Sequence, residues 1–149
     1  SKPFLVYNLT HDGSFKHPAV QVPKSNIVNP EEVIAGKPHV DHYIHTLRCS
    51  LILDDINEDS GPTIFYNKSM HDKEIKKNHL NLFLENFKFE PDLGGSHFVS
   101  EEKLKILEAD NKKTLLTGNK GDLILLDLKT VHHASILKRG QRHILWFYY

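Results

Sequence analysis

Cysteine is nearly missing from this chain: Cys49 stands alone among 149 residues. No disulfide can close within it, which favours a reducing, cytoplasmic setting. Cys49 lies in an apolar alternating stretch, so a buried reduced thiol is expected there, not a nucleophile. Net charge is missing too. The 19 Lys and Arg balance the 19 Asp and Glu and are interspersed with them. Without a basic stripe, nucleic acid is not an expected partner. Apolar runs such as Leu123–Leu126 fall far short of the roughly 20 residues a membrane span needs, and no leader pattern opens the chain. Tryptophan and methionine occur once each, whereas histidine is abundant at 11. That excess is a weak pointer to metal chemistry, since many histidines simply sit at surfaces.

The length suits one domain with one core, residues 1–149. Phe4-Leu5-Val6-Tyr7 reads as a short strand. From Thr10 to Pro38, Gly13, Pro18, Pro23, Pro30, Gly36 and Pro38 break up any long element, leaving room for one helical turn at Asn29–Val33. His45 to Asp54 alternates as a strand, with Leu47, Cys49, Leu51 and Leu53 on one face and Thr46, Arg48, Ser50 and Ile52 on the other. After a turn at Asn57–Pro62, Thr63–Tyr66 is another strand. Between His71 and Phe87, Ile75, Leu82, Phe83 and Phe87 recur at helical spacing, with Ser69 and Asp72 resembling a capping box. Ser100 caps a second helix, Glu101 to Ala109, with Leu104 and Leu107 inward. Strands return at Lys113–Thr117 and from Asp122 to Tyr149. The expected fold is therefore mainly β, an antiparallel sandwich or jelly roll, with a helical insertion at 67–112 placed where a lid could form.

Three short stretches carry the chemistry. In His39-Val40-Asp41 the two polar side chains are two apart, so on a strand they share a face while Val40 turns away. Alone, His-x-Asp is a weak signal, and a solvated strand end is its ordinary explanation. A histidine from a distant strand would complete a two-histidine, one-carboxylate face with open positions on a divalent iron. His132 and His133 compete for that role; consecutive strand residues face opposite ways, so only one can point inward. Arg142 follows a glycine turn and opens the last, aromatic strand. Tyr7, Thr46, Arg48 and Asn67 are further candidates to line a cavity.

In order, His39-Val40-Asp41, Leu51-Ile52-Leu53-Asp54-Asp55 with Ser60-Gly61-Pro62, Gly121 to Asp127, Val131-His132 and Arg142 resemble the phytanoyl-CoA dioxygenase family of iron(II)- and 2-oxoglutarate-dependent oxygenases. The resemblance spans about residues 38–149. It departs from the family where a Gly-Ser-His usually follows the Gly-Pro turn; here the stretch reads Tyr66-Asn67-Lys68-Ser69-Met70-His71. The N-terminal helical part is also shorter than in most members.

The resemblance implies a double-stranded β-helix (a cupin-like jelly roll). It implies Fe(II) held by His39, Asp41 and His132, with His132 preferred over His133. It also implies that Arg142 receives the distal carboxylate of 2-oxoglutarate, and Thr46 is placed with that co-substrate. A guanidinium suits the task, because its paired donors match a carboxylate and it stays charged in a dry interior. The implied activity is oxygenation of a small-molecule substrate using O2, with release of succinate and CO2. Related halogenases replace the carboxylate ligand by a small residue; Asp41 is present, so hydroxylation is expected. Two other classes compete: a cupin-like metal-dependent isomerase or epimerase, which would not need Arg142, and a non-catalytic jelly-roll binding module, which would not need the ordered motif set.

Overall fold

The computed structural model describes residues 4–11, 36–41, 47–77, 80, 97–110 and 113–148, with residues 4–11, 97 and 148 described as strand backbone alone. The expected turn at Asn29–Val33 and residues Thr46, His42, His45, His79, Leu82, Phe83 and Phe87 lie outside the described residues.

Nine strands run through the described chain: β1 (Phe4–His11), β2 (His39–Val40), β3 (Leu47–Ile52), β4 (Thr63–Tyr66), β5 (His97–Phe98), β6 (Lys113–Leu115), β7 (Leu123–Asp127), β8 (His132–Ala134) and β9 (Gln141–Tyr148). Helix α1 spans Glu101–Ala109, and a short 3-10 turn spans Ser69–His71. The strands form two antiparallel sheets, a large-strand sheet in the order β1-β9-β3-β7 and a second in the order β5-β2-β8-β4-β6. The pairings nest: β4 with β6, β3 with β7, β2 with β8 and β1 with β9. The chain therefore behaves as one long hairpin whose two arms cross together from sheet to sheet.

Two apolar clusters hold this arrangement. Ile52, Ile56, Phe65, Leu116, Leu126, Ile144 and Trp146 pack together from both sheets. Val40, Ile64, Tyr66, Ile75, Leu107 and Val131 form the second, with Val99, Leu104 and Leu115 against it. This second cluster lies on the outer face of the β2-β8-β4 sheet, covered by α1. Burying an aliphatic side chain in either is worth about 1.5–3 kcal/mol.

Local chemistry explains several element ends. Ser100 caps α1 as expected, its Oγ accepting from the Lys103 N–H. The helical stretch before α1 starts later than the capping-box reading places it: residues 73–77 are helical, and the cap is Asp72, whose Oδ1 accepts from the Glu74 and Ile75 N–H groups. Ser69 is buried instead, its Oγ accepting from the Val131 N–H at 2.8 Å. Gly61 has φ +67°, and a Cβ there would meet Leu137 at 3.2 Å, so the turn before β4 requires glycine. Strand β5, inside the segment read as helical from sequence, joins the edge of the second sheet beside β2.

The outer face of β3 also differs from expectation. Cys49 is half-buried, not buried, and shares the outward face with Leu47 and Leu51, while Arg48, Ser50 and Ile52 are the buried residues. Among the described residues no helix is long and apolar enough to cross a membrane.

Candidate metal centre

Backbone register alone brings two histidines together. His39 on β2 and His132 on β8 are directly opposed across the antiparallel pair, and their ring centroids are 4.6 Å apart. The next strand places Phe65 opposite His132, with its ring stacked on the imidazole at 5.2 Å. Both imidazoles are buried. Asp41 follows the last residue of β2, and its N–H donates to the Leu128 carbonyl at 3.1 Å. The period of two holds through this stretch: His39 and Asp41 turn inward, while Val40 is fully buried in the outer cluster.

The three side chains converge. Asp41 Oδ1 is 3.2 Å from His39 Nε2, and Asp41 Oδ2 is 3.5 Å from His132 Nε2. One donor atom from each lies within 4.8 Å of the others, so the group could hold a metal ion. Adjacent ligands on an octahedral ion at about 2.1 Å stand about 3 Å apart, close to these spacings.

The ring orientations bear on what belongs between them. His39 Nδ1 is 2.6 Å from the Lys37 carbonyl oxygen, and His132 Nδ1 is 2.9 Å from that of Thr130. A carbonyl only accepts, so each Nδ1 carries the proton, and in the neutral rings each Nε2 presents a lone pair. Two lone pairs and a carboxylate then face one small space. A positive charge among them, whether protons on the Nε2 atoms or a bound metal ion, favours that convergence, and imidazole tautomers fixed by backbone carbonyls are the usual support of a metal-bound histidine. The donor set fits a divalent ion of intermediate hardness, iron(II) included. Burial pushes the Asp41 carboxyl up, but contacts with His132 and His39 and the Arg48 charge outweigh it and hold the group well below the usual carboxylate range.

Arg48 was one of four cavity candidates in the sequence, and the structure places it at the centre. Its Nη2 donates to Asp41 Oδ2 at 2.6 Å, and its guanidinium carbon lies 4.5 Å from the centroid of the Trp146 ring. Asn67, another of the four, is exposed and donates to Thr114 Oγ1; it lines a cavity of about 190 Å3 with Phe65, Leu125 and Thr130. The side chain of Tyr7 and all of Thr46 lie outside the described residues.

Arg142 is buried on the inward face of β9, in one column with Ile144 and Trp146. Its Nη1 donates to the Gly61 carbonyl. Burial pushes its guanidinium down to about 10, so it stays cationic at neutral pH. It is four residues from Trp146, roughly 13 Å along the strand, and makes no described contact with the three converging residues.

His133 faces the other way. Its ring stacks on Tyr66, and its Nε2 is 3.3 Å from the Tyr66 hydroxyl. It lines an outer cavity of about 650 Å3 with Ile64, Leu115, Ile136 and Lys113. Two further contributors had no side-chain signal: the Lys37 and Thr130 carbonyls that fix the imidazoles. Ser69 anchors the residue before His132, a long-range role hidden behind its cap-like sequence context.

No family model matches the chain, and no curated protein matches it. Among solved structures, the chain is similar to HygX from Streptomyces hygroscopicus, whose crystal structure has nickel, 2-oxoglutarate and hygromycin B bound. The identity is 15% and the TM-score 0.42, over 73% of this chain and 38% of HygX. The chain thus spans well under half the length of HygX, and a likeness of that strength is no guide to its ligands.

Proposed function

We propose that this protein is an iron(II)- and 2-oxoglutarate-dependent oxygenase acting on a small molecule. The main support is the convergence of His39 Nε2, His132 Nε2 and the Asp41 carboxylate, with both Nδ1 protons committed to backbone carbonyls. In this proposal these three residues hold the metal. Bound iron with 2-oxoglutarate and O2 would supply the oxidant for hydroxylation, with release of succinate and CO2. Phe65 against His132 excludes water and keeps the imidazole plane fixed. Arg142 is the buried cation proposed to receive the distal carboxylate of the co-substrate, and Thr46 is kept as a second candidate contact for it.

The nested pairing of strands supports a double-stranded β-helix as the scaffold, since winding one long hairpin produces that alternation between sheets. Residues 67–112 are proposed as its inserted lid region. A cupin-like isomerase would share the metal ligands; the buried charge of Arg142 favours an acidic co-substrate and hence the oxygenase.

The test is anaerobic addition of iron(II) and 2-oxoglutarate, read by the weak visible charge-transfer band of the chelate. The wild type should develop the band and His132→Ala should not. Absence of the band in wild type, or an undiminished band in the variant, rejects the proposal.

A further inference from the structure

Arg48 is an unusual inward residue. Buried charges are costly unless paired, and this one donates to a carboxylate oxygen of Asp41. The two Asp41 oxygens differ: Oδ1 faces His39 Nε2 at 3.2 Å, while Oδ2, 3.5 Å from His132 Nε2, already receives the Arg48 Nη2 at 2.6 Å. The guanidinium is fixed from behind by the Trp146 ring. Ser50 is directly opposite Trp146 on β9, so Arg48 is its diagonal neighbour, within reach of an aromatic contact. A planar cation held on an aromatic face has little freedom to release its acceptor.

We infer that Arg48 is a positioning residue that holds Asp41 as a one-oxygen metal ligand. This rests on the proposed metal site. On an octahedral ion, two imidazoles and one carboxylate oxygen would leave three positions, enough for a chelating 2-oxo acid and O2. A carboxylate bound through both oxygens would leave only two. By engaging Oδ2, Arg48 would keep Asp41 to one oxygen and the third position open. A lysine would supply charge at that point but neither the planar stack on Trp146 nor the directed donor.

The experiment uses the full chain with Ni(II), anaerobically, in two steps: metal affinity by titration calorimetry, then 2-oxoglutarate affinity of the metal-loaded protein. Arg48→Met should keep Ni(II) affinity within about threefold and weaken 2-oxoglutarate by about tenfold or more. Arg48→Lys should fall between, and carries the test alone should Arg48→Met fail to fold. Both titrations are run well below the unfolding midpoint of each protein, so a merely structural loss would not separate the two affinities. Unchanged 2-oxoglutarate affinity in the folded variants overturns the inference while leaving the metal site standing. Loss of Ni(II) binding in the folded Arg48 variants also overturns it, because Arg48 would then be holding the site itself. If the wild type binds no metal, the proposed function fails and the inference fails with it.

Discussion

The two sheets differ in which face is dry. The β2-β8-β4 sheet is packed on both sides: its inner face carries His39, His132 and Phe65, and its outer face carries Val40, Ile64 and Tyr66 under Leu107. The β9-β3-β7 sheet is inverted. Its inner face carries Arg48, Ser50 and Arg142 among apolar residues, while Leu47, Leu123 and Leu125 stand exposed outside, Leu125 at 67%. The converging histidines thus sit on the doubly packed sheet, where neither imidazole can move without disturbing a core. The inverted sheet contributes Arg48, which meets Asp41 beside them.

The largest effect should come from the covered outer face. Leu107→Ala removes a fully buried side chain and should cost about 3 kcal/mol, read by urea unfolding. Next comes the anchor beneath β8: Ser69→Ala leaves the Val131 N–H without its acceptor and should cost about 1–2 kcal/mol. It should also loosen His132, seen as faster amide exchange at residues 131–133. The exposed face should respond far less. Leu125→Lys should change stability by about 0.5 kcal/mol at most. A cost equal to that of Leu107→Ala would break the comparison, because it would mean that Leu125 is covered in solution.

The smallest effect is confined to alkaline pH. Burial, and then Glu108, push the Tyr66 hydroxyl from 10.0 up to about 12. The folded state therefore keeps a proton that the unfolded state releases, and stability should fall as pH rises from about 10 to about 12. Tyr66→Phe should flatten that slope; an unchanged slope would place the alkaline loss elsewhere.

The alternation in His39-Val40-Asp41 was legible because a strand has period two whatever its neighbours, and the same rule separates His132 from His133. It could not say which face of β3 points inward. Leu47, Cys49, Leu51 and Leu53 form the more apolar set, yet Arg48, Ser50 and Ile52 are inside. Binary pattern gives a period, and only the tertiary arrangement gives the side. The charge on the less apolar face was nonetheless a clue, since an arginine between Leu47 and Cys49 in an apolar strand needs a partner, and Asp41 lies only seven residues away. The Lys37 and Thr130 carbonyls were invisible, because backbone acceptors have no residue code. Strand β5 is two residues long, too short to leave a periodic trace.

Trp146 is the single tryptophan of the chain, and its ring touches the guanidinium that holds Asp41. The protein therefore carries its own optical probe, one fluorophore with no background from another indole. Its emission should report any displacement of Arg48 without a label. Zinc, which has no d-electron transitions to quench the indole, would let any shift of Arg48 on metal addition be read against an unquenched baseline.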